Sequence, residues 1–211
     1  MTPSDLRLAA RISSPPDLFE LRLDSLLAVK NLQEKARALP APLVITARHP
    51  TEGGKNNLSA SARRELLLRF LPIAKYVDVE LRSARSHRDV MERAKRSGIG
   101  TIISFHDLRN TPQLGSLRAK ARQAAKLGAA VFKVATRTDS TIEVARLLEF
   151  VSKKSAVPIS AMGMGKRGAV SRIALAQCGS RFIYTSLQRA AVEGQLSVEQ
   201  VRSVLRHLNI D

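Results

Sequence analysis

The chain has 211 residues, with 35 Lys and Arg against 18 Asp and Glu, a formal net charge of +17, and 4% aromatic residues. That length suits one domain with a sizeable core, and no stretch approaches the roughly 20 apolar residues that a membrane span needs. One cysteine, Cys178, excludes an internal disulfide and fits a reducing compartment.

Strong positive charge suits either a nucleic-acid binder or a protein whose field draws in anionic ligands. The cations are dispersed, in pairs such as Lys153-Lys154 and Lys166-Arg167, and few aromatic rings are present for bases to stack on. A solvated basic surface that also attracts a small anion is the favoured reading. Met1 to Asp17 lacks an apolar signal core, so a cytoplasmic protein is expected.

In chain order, Thr2-Pro3-Ser4-Asp5 has the form of a helix start, with a capping hydroxyl, an early proline and an acid. Leu6 to Ile12 is then read as a short helix, with an alternating strand as the other option, and Pro15-Pro16 ends it. Strand patterns follow at Leu18 to Leu23, Leu43 to Arg48, Tyr76 to Leu81, Thr101 to Phe105, Val131 to Thr136, Pro158 to Met162 and Arg181 to Ser186. Helical patterns alternate with them, which implies a parallel sheet covered by helices. A (β/α)8 barrel of the TIM type needs one strand more than these, so the first strand is expected to be missing or degenerate ahead of the first helix. A single catalytic domain over residues 1–211 is expected.

Several strands carry polar residues on one face: Glu20 with Arg22, Thr46 with Arg48, and Asp78 with Glu80. Charges near the C-terminal ends of strands are what the active end of a parallel barrel presents. Asp78 and Glu80 are alternatively structural partners of Arg48 or Arg22. The run Ala130 to Thr136 is apolar except for Lys133. A buried lysine is pushed toward the neutral amine, a nucleophile for ketones and aldehydes, whereas a strand-end lysine reaches water along its alkyl stem. His106, just after an apolar run, is a candidate acid-base or a loop-start residue bound to backbone. His49, His87 and His207 are read as surface residues. No cluster has metal-ligand spacing, and no dinucleotide or Walker glycine pattern is present. The loop Gly163 to Gly168 precedes a helix start and could cradle an anion at its amides. Arg172 adds a guanidinium suited to a carboxylate.

These motifs together resemble type I 3-dehydroquinate dehydratase from about Glu20 to about Ser197. They are Glu20-Leu-Arg22-Leu-Asp24, Thr46-Ala-Arg48 followed by Glu52-Gly53-Gly54, Asp78-Val-Glu80, Ser104-Phe-His106-Asp107 with Thr111-Pro112, Lys133-Val-Ala135, Met164 through Gly168 to Ser171-Arg172, Gly179-Ser180, and Gly194-Gln195. The resemblance implies a (β/α)8 barrel, usually a homodimer, with no metal or organic cofactor, dehydrating 3-dehydroquinate in the shikimate pathway. It implies that Lys133 forms an imine with the substrate ketone and that His106 moves the protons, oriented by Glu52. Arg172 would clamp the carboxylate with Gln195 closing over it. Glu20, Arg22 and Arg48 would hold the ring hydroxyls, and Met164 would pack on the ring.

The closing loop departs from the family pattern Ser-Ala-Pro-Gly-Gln and reads Ala191-Val192-Glu193-Gly194-Gln195. Ala191 lacks the hydroxyl expected at the carboxylate. Glu193 replaces a stiffening proline and needs to point outward or pair with Arg189. The alternatives are another Schiff-base barrel such as an aldolase, which shares Lys133 without needing Arg172, and an inactive basic barrel that binds nucleic acid.

Overall fold

The computed structural model describes residues 1–188, 190 and 192–208. Its backbone contacts divide the chain into two compact units, Met1–Phe105 with Lys126–Val131, and His106–Ala125 with Phe132–Asp211. Each unit is an α/β arrangement of parallel strands and helices.

The first unit opens on helix α1, Pro3–Ala9, three residues earlier than the pattern from Leu6 indicated. Thr2 accepts the Asp5 amide and Asp5 returns a carboxylate to the Thr2 amide, so a complete capping box fixes this start. The ammonium of Met1 donates to the Glu20 carbonyl at 3.3 Å, and residues 1–18 hold no strand. Strands β1 (Phe19–Arg22), β2 (Leu43–Thr46), β3 (Tyr76–Glu80) and β4 (Gly100–Asp107) follow. Each pairs in parallel with the next, and Glu20 sits opposite Val44, Ile45 opposite Val77, and Asp78 opposite Ile102. Helices α2 (Leu32–Arg37), α3 (Ala60–Phe70) and α4 (Arg88–Arg96) are the crossovers that parallel pairing requires. Leu21, Ile45, Val77, Ile102 and Leu67 are completely or almost completely buried, so the apolar phase of each strand forms the core.

In the second unit, helix α5 (Leu114–Lys126) precedes strand β5 (Val131–Arg137), which pairs in parallel with β6 (Ile159–Met164) and sets Lys133 opposite Ser160. Helices α6 (Thr141–Ser152), α7 (Gly168–Gln177) and α8 (Val198–His207) complete it. Val131 to Thr136 are all buried, as a strand covered on both faces requires, and Phe132 meets Phe150 edge-on with centroids 6.5 Å apart.

The seventh strand expected at Arg181 to Ser186 does not form; the segment contributes one isolated bridge, Ser186 to Ser197. Side chains take over its rungs. The Arg181 amide donates to the Ile159 carbonyl, but the Ala161 amide goes to the Ser180 hydroxyl and the Phe182 carbonyl receives the Ser160 hydroxyl. Hydroxyl groups satisfy the backbone at these positions, so a regular ladder does not continue. Among the described residues no helix is long and apolar enough to cross a membrane.

Candidate active site

Arg48 is the centre of the polar cluster in the first unit. It stands just past the end of β2, only 2% exposed. Its guanidinium meets Asp78 at 2.9 Å and Glu80 at 3.3 Å and donates to Ser104 at 2.7 Å; Glu20 lies 3.9 Å away. The Ser104 hydroxyl donates on to Asp78 at 2.5 Å, and Thr46 donates to Glu20 at 2.9 Å. Burial alone would lower the arginine's pKa, but Asp78, Glu80 and Glu20 outweigh it and raise the value. Arg48 is therefore a permanent cation, and Asp78 and Glu80 are its structural partners. Glu80 also receives Arg63 at 3.1 Å.

Arg22 is aimed by Asp24 rather than by the β3 acids. Asp24 is fully buried, takes both Arg22 hydrogen bonds at 2.9 and 2.8 Å, and accepts the amides of Arg48 and Lys55. Its burial favours the neutral acid, yet those four hydrogen bonds hold its pKa below the ordinary carboxylate range. Glu20 and Arg22 keep partly open side chains, each 25% exposed. Glu52 ends a short turn, Pro50–Glu52, and is buried. Burial pushes its carboxyl up to about 7; Arg48 opposes this and Glu80 and Asp78 reinforce it.

In the second unit Lys133 is 3% exposed in the middle of β5, and its Nζ lies over the Tyr184 ring, 3.8 Å from the centroid. His106 falls inside β4, half-buried, one residue beyond where the strand was expected to end. Arg172, on α7, is 3% exposed and donates to the Tyr184 carbonyl at 2.6 Å. No carboxylate pairs with it among the described residues, and burial lowers its pKa to about 10. A buried guanidinium without a counter-ion is costly, and a carboxylate ligand would relieve that cost. Met164, half-buried, ends β6.

The closing loop lies on the start of α7. Gly194 has φ +77°, and a Cβ there would fall 2.5 Å from the Gly165 carbonyl oxygen and 2.7 Å from the Gly168 Cα. The Glu193 carbonyl accepts the Gly165 amide at 2.9 Å, and its carboxylate lies 3.6 Å from Arg137. The expected partner Arg189 and the substituted Ala191 lie outside the described residues. Half-buried Gln195 follows directly.

Three expectations need correction. The loop Gly163 to Gly168 is not an anion cradle: the amides of Gly163, Gly165, Lys166, Arg167 and Gly168 go to Ser171, Glu193, Asp139, Thr138 and Gly165. His87 is completely buried, against the Ser86 hydroxyl, because the apolar face of α4 starts at its N-cap. His49 is half-buried and bonded to Thr51. Sequence reasoning also missed Tyr184, whose ring meets the Lys133 Nζ and whose carbonyl accepts the Arg172 hydrogen bond; an aromatic residue in an apolar run gives no sign of that. Among the described residues no group of three or more His, Cys, Asp or Glu could hold a metal.

A family model described as type I 3-dehydroquinase matches residues 3–211. The 3-dehydroquinate dehydratase of Pyrococcus abyssi is 38% identical over 200 residues, covering 93% of this chain and 89% of that one. The crystal structure of the Geobacillus kaustophilus 3-dehydroquinate dehydratase superposes with a TM-score of 0.86 at 28% identity, covering 97% of this chain and 85% of that one. The type I enzyme of Clostridium difficile, solved with covalently modified comenic acid, has a TM-score of 0.86 at 25% identity, covering 96% and 86%.

Proposed function

The chain belongs to the type I 3-dehydroquinase family, and we propose that it dehydrates 3-dehydroquinate to 3-dehydroshikimate through an imine on Lys133. The observation that carries this reading is Lys133 itself, an amine buried in mid-strand with its Nζ against an aromatic face. The Lys133 amine adds to the C3 ketone and water leaves, giving an iminium. That electron sink makes the C2 proton acidic. His106 takes the C2 proton, and the resulting enamine expels the C1 hydroxyl as water with the proton His106 returns. Water then hydrolyses the imine and frees the lysine.

Arg172 is assigned to the substrate carboxylate, a role that its buried, acid-free guanidinium supports. Gln195 closes over the same group. Glu20 and Arg22, whose side chains remain partly open, bind ring hydroxyls. Arg48 is assigned there too, with its charge fixed by Asp78 and Glu80. Met164 packs on the ring, and Glu52 orients His106. Residues 1–211 act as one catalytic domain, in the cytoplasm and as a homodimer. The test is conversion of 3-dehydroquinate by the purified protein, followed as the rising absorbance of 3-dehydroshikimate. No conversion, with lysine-dependent cleavage of an aldol donor instead, would favour a Schiff-base aldolase.

A further inference from the structure

We infer that His49 is a positioning residue whose neutral ring caps the turn Pro50–Glu52 and holds Glu52 buried, and that protonating the ring releases the turn. The catalytic consequence rests on the role proposed for Glu52; the cap itself does not.

The first amides of a helical turn lack internal partners, and Ser, Thr, Asp or Asn usually supplies an acceptor. Here the acceptor is an imidazole. His49 has the extended backbone of an N-cap, φ −63° and ψ 137°. Its Nδ1 accepts the Thr51 amide at 3.2 Å and lies 2.9 Å from the Thr51 hydroxyl. A ring nitrogen that accepts an N–H carries no proton, so the ring proton sits on Nε2. The Thr51 oxygen also accepts the Arg82 guanidinium, which turns the hydroxyl proton toward Nδ1.

The backbone of His49 binds the same turn. Its carbonyl accepts the amides of Glu52 at 2.9 Å and Gly54 at 3.0 Å, and its amide donates to Glu80 at 2.8 Å. A Cβ at Gly54 would collide with the carbonyls of Arg48 and His49. The turn is thus wound tightly against His49, and Glu52 is its last residue.

A proton on Nδ1 would set a donor against the Thr51 amide, which has no acceptor role to switch to, and would force the Thr51 hydroxyl to turn its proton away. It would also set a second cation beside Arg82. The charged groups facing the ring are Arg63 from α3, Arg82 just after β3, and Glu80 at the end of β3. Burial and the two guanidiniums lower the pKa of His49 below its ordinary 6.5, against Glu80. The ring is therefore neutral at pH 7 and the cap is complete, and acid undoes it. Glu52 reports the change, because burial is the main cause that holds its carboxyl near 7.

The test is NMR of the labelled full-length protein together with His49→Ala and His49→Asn. At pH 7.5 His49 should be the Nε2–H tautomer, and the Thr51 amide shift should move with the ring on acidification. In His49→Ala the Glu52 carboxyl midpoint should drop by about one pH unit or more, as the turn opens to water. In His49→Asn, where an amide oxygen replaces Nδ1, it should stay near 7. The kcat should fall severalfold in His49→Ala, because Glu52 is no longer held in its place, with KM unchanged, and recover in His49→Asn. An Nδ1–H tautomer, a Thr51 amide blind to the ring, or a Glu52 midpoint equal in both variants would overturn the cap. A shifted midpoint with unchanged kcat would uphold the cap and overturn the role given to Glu52.

Discussion

Arg172 shows how a single side chain can be costly for the fold and still be useful. Its guanidinium is buried, donates to the Tyr184 carbonyl, and has no carboxylate partner among the described residues. Arg172→Met removes a buried charge that has no counter-ion among the described residues, and with it the desolvation cost of holding that charge out of water. We expect its Tm to rise, less whatever the Tyr184 carbonyl loses in hydrogen bonding. Its KM should rise about 10- to 100-fold, the equivalent of a hydrogen bond to a charged group. Calorimetry and steady-state kinetics check both, and a lower Tm with unchanged KM would make Arg172 purely structural. Glu52 predicts a pH dependence. Its folded pKa of about 7 lies above the ordinary 4.5. The fold therefore prefers the protonated acid, and the associated stability is present below 4.5 and gone once pH rises through 7. The difference corresponds to about 3 kcal/mol. Glu52→Gln should flatten the stability profile between those values and be the more stable form at pH 8, as measured by urea unfolding.

Elements hold these residues with unequal visibility in sequence. Strands β1 to β6 were legible because each is a short apolar run bounded by turn residues, and their boundaries moved by three residues or fewer. The segment Arg181 to Ser186 has the same pattern but forms no strand. Its register with β6 is set by the hydroxyls of Ser160 and Ser180, a cross-chain detail that periodicity does not carry. The loop Gly163 to Gly168 was misread for a related reason, since its glycines were visible but the acceptors of its amides, Asp139, Thr138 and Glu193, come from elsewhere in the unit. Those glycines admit a close approach instead. Gly194 packs on Gly165 and Gly168 with positive φ, so Gly194→Ala should lift the closing loop from α7. We expect KM to rise about 10-fold or more, with Tm changed less because Val192 and Glu193 beside it are exposed and can shift. An unchanged KM would mean that closure does not require this contact.

At the scale of the whole molecule, the charge of +17 was plain from composition, and its use was not. The substrate proposed is a carboxylate, so the field should speed its capture. Raising salt from about 10 to 500 mM should lower kcat/KM severalfold and leave kcat unchanged, because screening weakens steering but not the chemistry of buried groups. Tight, steeply salt-dependent retention of nucleic acid on filters would point to a different use of the charge.

The central claim is that one amine carries the chemistry, and borohydride trapping tests it most directly. Reduction in the presence of 3-dehydroquinate should turn the iminium into a stable secondary amine. Activity should be lost and the intact mass should rise by one ligand-derived adduct, on the peptide that holds Lys133. Borohydride alone should do neither. Lys133→Ala should abolish both trapping and activity, and Lys133→Arg should fail as well, since a guanidinium stays protonated. His106→Ala should still trap some adduct while losing about 10²–10⁴-fold in kcat. An adduct on any other lysine, or full activity in Lys133→Ala, would contradict the account.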